Sequence, residues 1–235
     1  MRDISRVAII IPLSPFECEW THLLSDLKNL PSNWEIILVG PKEPTPNLSE
    51  IVHDFKIASS IRWIHSELGR ARQMNAAVQA TDKEILWFLH ADSRVGADAI
   101  RAVEEQAPRS CDTLFYFDLK FQDDGPILTY LNSIGVWIRS HLMKIPFGDQ
   151  GFFIGRKLFV SLGGFPENVT YGEDHLLVWR ARQGGVPIIC AGGSIKTSAR
   201  KYHKQGWLRT TLQHGIMTYR QALPEWLRTL RQEKL

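Results

Sequence analysis

The chain has 235 residues, 44% of them hydrophobic, with a formal net charge of +3 at pH 7, which suits one α/β domain with a sizeable core and an appended segment. Its three cysteines, Cys18, Cys111 and Cys190, show no paired spacing, which excludes a disulfide framework or zinc knuckle and points to a reducing, cytoplasmic setting. The first residues lack a charged-then-apolar leader pattern, and the longest uncharged stretches, 7–16 and 126–138, are too short to span a membrane.

Val7 to Leu13 reads as a buried strand, Phe16 to Leu30 as a helix closed by Pro31, and Trp34 to Val39 as a second strand. Residues 41–47, rich in Pro and ending in Asn, form a surface loop, and Ile61 to Ile64 a short third strand. Arg70 to Ala80 is helical in composition, Glu84 to Leu89 is the fourth strand, and Ala97 to Gln106 is the next helix. This alternation predicts a mostly parallel sheet with helices on both faces. After Pro108 follow a strand from Leu114 to Phe121, an amphipathic helix from Ile127 to Met143 and a short strand from Gly151 to Ile154. A helix from Glu173 to Gln183 and a returning strand from Val186 to Cys190 complete the alternation.

The division expected is a domain over 1–203 and an amphipathic helical extension over 204–235. Residues 196–235 hold nine Lys or Arg and two acids, a charge of +7 that leaves −4 for the first 195 residues. Such a segment is the footprint of an anionic partner, or a solvated helix face. Packing on the domain, a dimer interface and contact with a membrane surface are the open outcomes for the extension. Nucleic acid is not an expected partner, because no recognition module is present. His203 and His214 read as surface histidines.

Several short constellations carry chemistry. Ile85 to Leu89 is an apolar run that ends in His90, Ala91 and Asp92, and in an open α/β sheet ligands bind at the carboxyl ends of strands. Asp92 is therefore either a ligand for a divalent cation on a phosphate or a capping acid for the next helix. Arg70 and Arg72 open a helix after a strand, where free amides already favour anions, although two positions two apart do not share a helical face. Gly148-Asp149-Gln150-Gly151 is a tight polar turn, followed by Gly163-Gly164-Phe165-Pro166 and by Glu173-Asp174 at the start of a helix. Asp174 is either a first-turn acid or a general base.

Taken in order, these segments resemble family-two glycosyltransferases of the GT-A fold. The closest likeness is to a small bacterial subgroup marked by Gly-Arg-Ala-Arg-Gln-Met-Asn, Phe-Leu-His-Ala-Asp, Gly-Asp-Gln-Gly, Gly-Gly-Phe-Pro, Glu-Asp and Thr-Ser-Ala-Arg. Those motifs stand at 69–75, 88–92, 148–151, 163–166, 173–174 and 197–200. The resemblance implies an α/β GT-A sheet, a nucleotide-sugar donor, a divalent cation (Mn2+ or Mg2+), and an acceptor that is lipid-linked or a small molecule. It matches Asp92 to the last acid of the family's Asp-x-Asp metal motif, with His90 in place of the first acid and Ala91 between them. Pro12, Leu13 and Glu17 fall in the first donor motif, and Arg70, Arg72 and Asn75 in the donor-side segment. Arg200 and Lys201 are implied to hold the diphosphate, Asp149 and Gln150 to line the acceptor side, and Asp174 to act as base with Glu173 beside it. The implied reaction is direct displacement with inversion.

The chain departs from that family where an acid usually grips the nucleoside. Val39-Gly40-Pro41-Lys42-Glu43 contains no Asp, and the first motif reads Ile11-Pro12-Leu13-Ser14-Pro15-Phe16-Glu17. The alternatives are an unusual donor, compensation by Glu17, or a relative that binds sugar nucleotides without turnover. A nucleotidyltransferase is a more distant reading, since its glycine-rich Arg loop would follow the first strand and Pro12 to Phe16 contains no glycine.

Overall fold

The computed structural model describes residues 7–44, 47–55, 57, 59–169 and 171–232; the first six residues, Thr45, Pro46 and the side chain of His214 lie outside it. In chain order the elements are β1 (Val7–Pro12), α1 (Trp20–Asp26), β2 (Glu35–Gly40), α2 (Leu48–Phe55), β3 (Ser60–His65) and α3 (Arg70–Ala80). Then come β4 (Ile85–Phe88), β5 (Arg94–Val95), α4 (Ala97–Gln106), β6 (Leu114–Phe121) and α5 (Thr129–His141). The remainder is β7 (Phe153–Gly155), α6 (Arg156–Ser161), α7 (Glu173–Gln183), β8 (Ile188–Thr197), α8 (Arg200–Gln205) and α9 (Trp207–Gln232).

The strands form one sheet in the order β3-β2-β1-β4-β7-β6-β8-β5. β1 pairs in parallel with β2 and β4, β2 with β3, and β6 with β8, whereas β7 runs antiparallel between β4 and β6 and β5 antiparallel to β8. The sheet is thus mainly parallel. β1 is apolar without alternation because both of its faces are covered. Ile9 and Ile11 join α1 and α4 residues such as Leu24 and Val103 on one face, while Ala8 and Ile10 join Met74 of α3 and Leu177 of α7 on the other. Each isoleucine so buried contributes about 1.5–3 kcal/mol.

Several elements differ from the sequence reading for local reasons. The helix expected over 16–30 shrinks to α1, because Oε1 of Glu17 accepts the amides of Cys18 (3.1 Å) and Glu19 (3.0 Å) and holds the preceding turn. α2 is an addition, started by Asn47, whose Oδ1 accepts the Ser49 amide at 2.9 Å in the manner of an N-cap. β8 runs on to Thr197 instead of stopping at Cys190, because its pairing with β6 continues to Phe121↔Thr197 past an irregularity between Tyr116 and Asp118. β5 and α6 are also unforeseen, being too short to carry a pattern.

Two features place the site. Gln73, buried in α3, donates from Nε2 to the carbonyls of Leu13 (2.7 Å) and Val39 (3.0 Å), tying together the carboxyl ends of β1 and β2. The C-terminal helices pack back on the sheet's helical layer. Asn132 of α5 donates to Thr211 (3.0 Å) and accepts from Trp207 (2.6 Å), and Gln183 of α7 donates to Glu225 of α9 (3.4 Å). Among the described residues no helix is long and apolar enough to cross a membrane.

Candidate active site

One half of the site lies beyond β1 and β4. Leu89 extends β4 by donating its amide to Ile10, and the Ser93 amide donates to the His90 carbonyl, closing a turn around Ala91 and Asp92. Gln122 Nε2 supports that turn through the Asp92 carbonyl at 3.3 Å. Burial raises the Asp92 carboxyl above the usual range, and the nearby Glu17 charge adds to this while Arg70 and Arg200 oppose it. Burial, assisted by Arg70, holds the His90 imidazole well below its usual pKa and hence neutral. A poorly solvated carboxylate beside a neutral imidazole, with a second acid nearby, fits a divalent cation, which would relieve the unfavourable desolvation.

Arg70 starts α3 beneath a groove of about 470 Å³ that runs between the first turns of α3 and α7. Its Nη1 lies 3.5 Å from Oε1 of Glu173. Arg72 borders the same groove but pairs with Glu67 and with Glu167, the latter at 3.7 Å. Asn75 does not reach the groove; its amide donates to the Phe165 carbonyl (2.8 Å) and Glu167 (2.9 Å) and accepts the Phe165 amide (3.1 Å), so it fixes the Gly163–Pro166 turn. Arg200, at the start of α8, meets Glu19 at 2.7 Å and Ser198 at 2.9 Å, and exposed Lys201 follows it. Pro12 ends β1, and Leu13 after it is buried. Gly40 packs against them so closely that an added Cβ would lie 3.1 Å from the Leu13 carbonyl.

The other half is built on Asp174. Its Oδ2 accepts the Gly148 amide at 2.5 Å and its Oδ1 the His175 amide at 2.9 Å. Asp149 is desolvated and raised above the carboxylate range by burial and by Asp174 and Asp92, with Arg139 and Arg70 opposing, and its Oδ1 is buried without a hydrogen-bond partner among the described residues. Glu173 is raised likewise, chiefly by burial and then by Asp174. Gln150 is fully buried, with Nε2 on the Phe117 carbonyl (3.0 Å) and Oε1 receiving Arg139 (3.2 Å) and the Phe147 amide (3.2 Å). It holds the turn and does not face the groove.

Arg139 and His175 were not singled out from the sequence. The Arg139 guanidinium lies 3.5 Å over the Phe147 ring, and burial lowers its pKa while Asp149 and Asp174 hold it charged. The available signal was its position as the first charge after the uncharged run 126–138. His175 is pushed down to about 4, mainly by burial, and its Nε2 accepts the Trp179 indole N–H at 2.9 Å. The arrangement therefore sets a cation-receptive, anion-binding half against a half with a carboxylate cluster balanced by one buried guanidinium.

The model of a family described as glycosyl transferase family 2 matches residues 20–161, a stretch that includes Arg70, Asp92 and Asp149 and stops before Asp174. No curated protein matches the sequence. Among solved structures, the mannosyltransferase PcManGT from Pyrobaculum calidifontis, in complex with GDP-Man and Mn2+, is similar with a TM-score of 0.67 and 19% identity, covering 98% of this chain and 71% of that one. S. aureus TarS 1-349 in complex with UDP-GlcNAc is similar with a TM-score of 0.61 and 16% identity, over 83% of this chain and 58% of that one. GalNAc-T7 with UDP, GalNAc and Mn2+ gives 0.59 and 13%, over 84% of this chain and 44% of that one. The chain thus spans less than two thirds of the latter two, and the three likenesses show the shared α/β fold.

Proposed function

The chain belongs to glycosyl transferase family 2, and from that premise we propose that it moves a sugar from a nucleoside-diphosphate-sugar donor to an acceptor hydroxyl with inversion. The observation that carries this reading is that Arg139, Asp174, Arg70 and Asp92 all act on the buried Asp149 carboxyl, while Arg70 and Arg200 act on Asp92 and Arg70 on His90.

In this reading Asp174 takes the proton of the acceptor hydroxyl, whose oxygen then bonds to the anomeric carbon as the bond from that carbon to the diphosphate breaks. The Gly148 and His175 amides fix the carboxylate so that it does not swing away from the acceptor. The orphaned Oδ1 of Asp149 is a ready acceptor for a second hydroxyl of the acceptor, and Glu173 holds Arg70 towards the donor. Arg70, Arg200 and Lys201 receive the charge that develops on the departing diphosphate. Asp92 and His90 would hold Mn2+ or Mg2+, which supplies Lewis-acid stabilisation of the same leaving group. Pro12, Leu13 and Glu17 border the nucleoside, while Asn75 and Gln150 act as positioning residues and Arg72 shapes the groove beside Glu167. The exposed apolar residues of α5 and α9, among them Tyr130, Trp137, Leu212 and Trp226, support a lipid-linked acceptor met at a membrane surface.

The missing acid after β2 favours one second reading, a relative that binds the donor without turnover. A thermal-shift panel of nucleoside diphosphates and their sugars, with and without Mn2+, on the wild type and Asp92→Ala tests the donor site, because a ligand of the folded state alone raises stability by mass action. Stabilisation that needs both metal and Asp92, followed by release of the diphosphate on adding acceptor, is the expected result. Binding without release would select the second reading, and no shift with any nucleotide would overturn both.

A further inference from the structure

We propose that Asp118, His141 and Cys190 form a zinc site, separate from the donor-side metal ligand Asp92. The three side chains come from β6, the last turn of α5 and β8, and their ligand atoms all lie within 4.8 Å of one another. Tyr116 is the register partner of Cys190, and the irregularity in β6–β8 pairing falls between Tyr116 and Asp118. Such a bulge re-aims side chains that a regular ladder would keep apart.

The histidine is arranged as metal-binding imidazoles are. Its Nδ1 lies 3.2 Å from the Trp137 carbonyl, which only accepts, so Nδ1 is the donor there and Nε2 is the nitrogen that a metal would take. Nε2 faces Oδ1 of Asp118 at 3.5 Å. Two such atoms, each about 2.1 Å from a tetrahedral cation, stand about 3.4 Å apart, so the observed gap suits an ion between them. The ring is held there by stacking on Trp137 (4.7 Å between centroids) and by the edge of Tyr116 (5.7 Å), whose hydroxyl donates to the Ser140 carbonyl at 2.9 Å. Cys190 Sγ completes the trio within the same 4.8 Å limit. The same geometry argues against a nucleophilic Cys–His–Asp relay, because Nδ1 is engaged by a backbone carbonyl and not by the acid.

A thiolate, an imidazole and a carboxylate select Zn2+ over the hard cations that a diphosphate prefers. Asp118 also lines a groove of about 610 Å³ along β6 and α5, which leaves that side open to a fourth ligand. Arg139, two residues before His141, serves the acceptor side, so zinc here fixes the helical turn that presents Arg139.

The test is a titration of chelator-treated protein with Co2+, then Zn2+. One equivalent of Co2+ should give a thiolate-to-cobalt charge-transfer band with the intense visible bands of a tetrahedral site, and Zn2+ should displace it. Cys190→Ser should abolish the charge-transfer band, and His141→Ala and Asp118→Ala should weaken binding by at least about tenfold. Asp92→Ala, and a Cys18→Ser/Cys111→Ser double variant, should leave the spectrum unchanged. Absence of the band from folded wild type, its loss in the Cys18/Cys111 double variant, or its loss on Asp92→Ala would each overturn the proposal.

Discussion

The amide of Gly148 donates to Oδ2 of Asp174 at 2.5 Å, so the turn after α5 and the first turn of α7 share one carboxylate. A Cβ on residue 148 would stand 3.0 Å from that oxygen and 3.1 Å from the Asp174 Cβ. Gly148→Ala is therefore expected to displace Asp174, the proposed base, by a few tenths of an ångström. Turnover should fall by about tenfold to a hundredfold with little change in melting temperature, read by diphosphate release and thermal unfolding in parallel.

Asp174→Asn keeps an oxygen for one of the two amides and removes the proton acceptor. The expected loss in kcat is about 10²- to 10⁴-fold, with nucleotide-dependent thermal stabilisation retained. Equal loss of binding and turnover would show that Asp174 organises the donor pocket and does not act as base.

Arg139 is the buried cation between Asp149 and Asp174. Replacing it with Met preserves length and leaves the two acids less well compensated, so urea unfolding should show a loss of about 3 kcal/mol. A second change, Asp149→Asn, should recover part of that loss. No recovery in the double variant would mean that the guanidinium acts through its contact with Phe147 instead.

His175 sets an acid limit. Its folded pKa of about 4 lies below the ordinary 6.5, so the unfolded chain takes up a proton that the fold refuses. The stabilisation is complete above pH 6.5 and is lost as pH falls from 6.5 to 4, a total of about 3 kcal/mol. Asp92, Asp149 and Glu173, all raised, act with the opposite sign and favour the fold at low pH. The comparison that isolates the histidine is wild type against His175→Gln, which keeps an acceptor for Trp179. As pH rises through that window the variant's unfolding free energy should gain less than the wild type's, or fall, and identical slopes would refute the assignment.

The elements with strong periodicity were legible: α3, α4, β6 and α7 run over the residues their spacing predicts. The motif carboxylates Asp92 and Asp174 both act on Asp149, each of the three lying in a turn or first helical turn that a short motif marks. What stayed hidden depends on distant pairing. Three-residue β7 has no pattern of its own, and its antiparallel place between β4 and β6 follows from the partners it finds. Arg139 reaches the site only because α5 lies across the turn at Phe147. Gln150 and Asn75 read as contacts for a ligand, yet their amides are engaged by the protein's own backbone, which a motif does not reveal.

The late arrival of β7 also shapes how the chain is made. β1 to β4 emerge first and can pair among themselves, but Ile85–Phe88, buried on both faces in the finished sheet, keeps one edge open until residue 155 has been synthesised. During that interval an apolar strand with unpaired amides is exposed to other nascent chains. Slower synthesis through residues 89–155 lengthens this exposure, so yield from expression should respond to chaperone supply and temperature more than the stability of the finished fold would suggest.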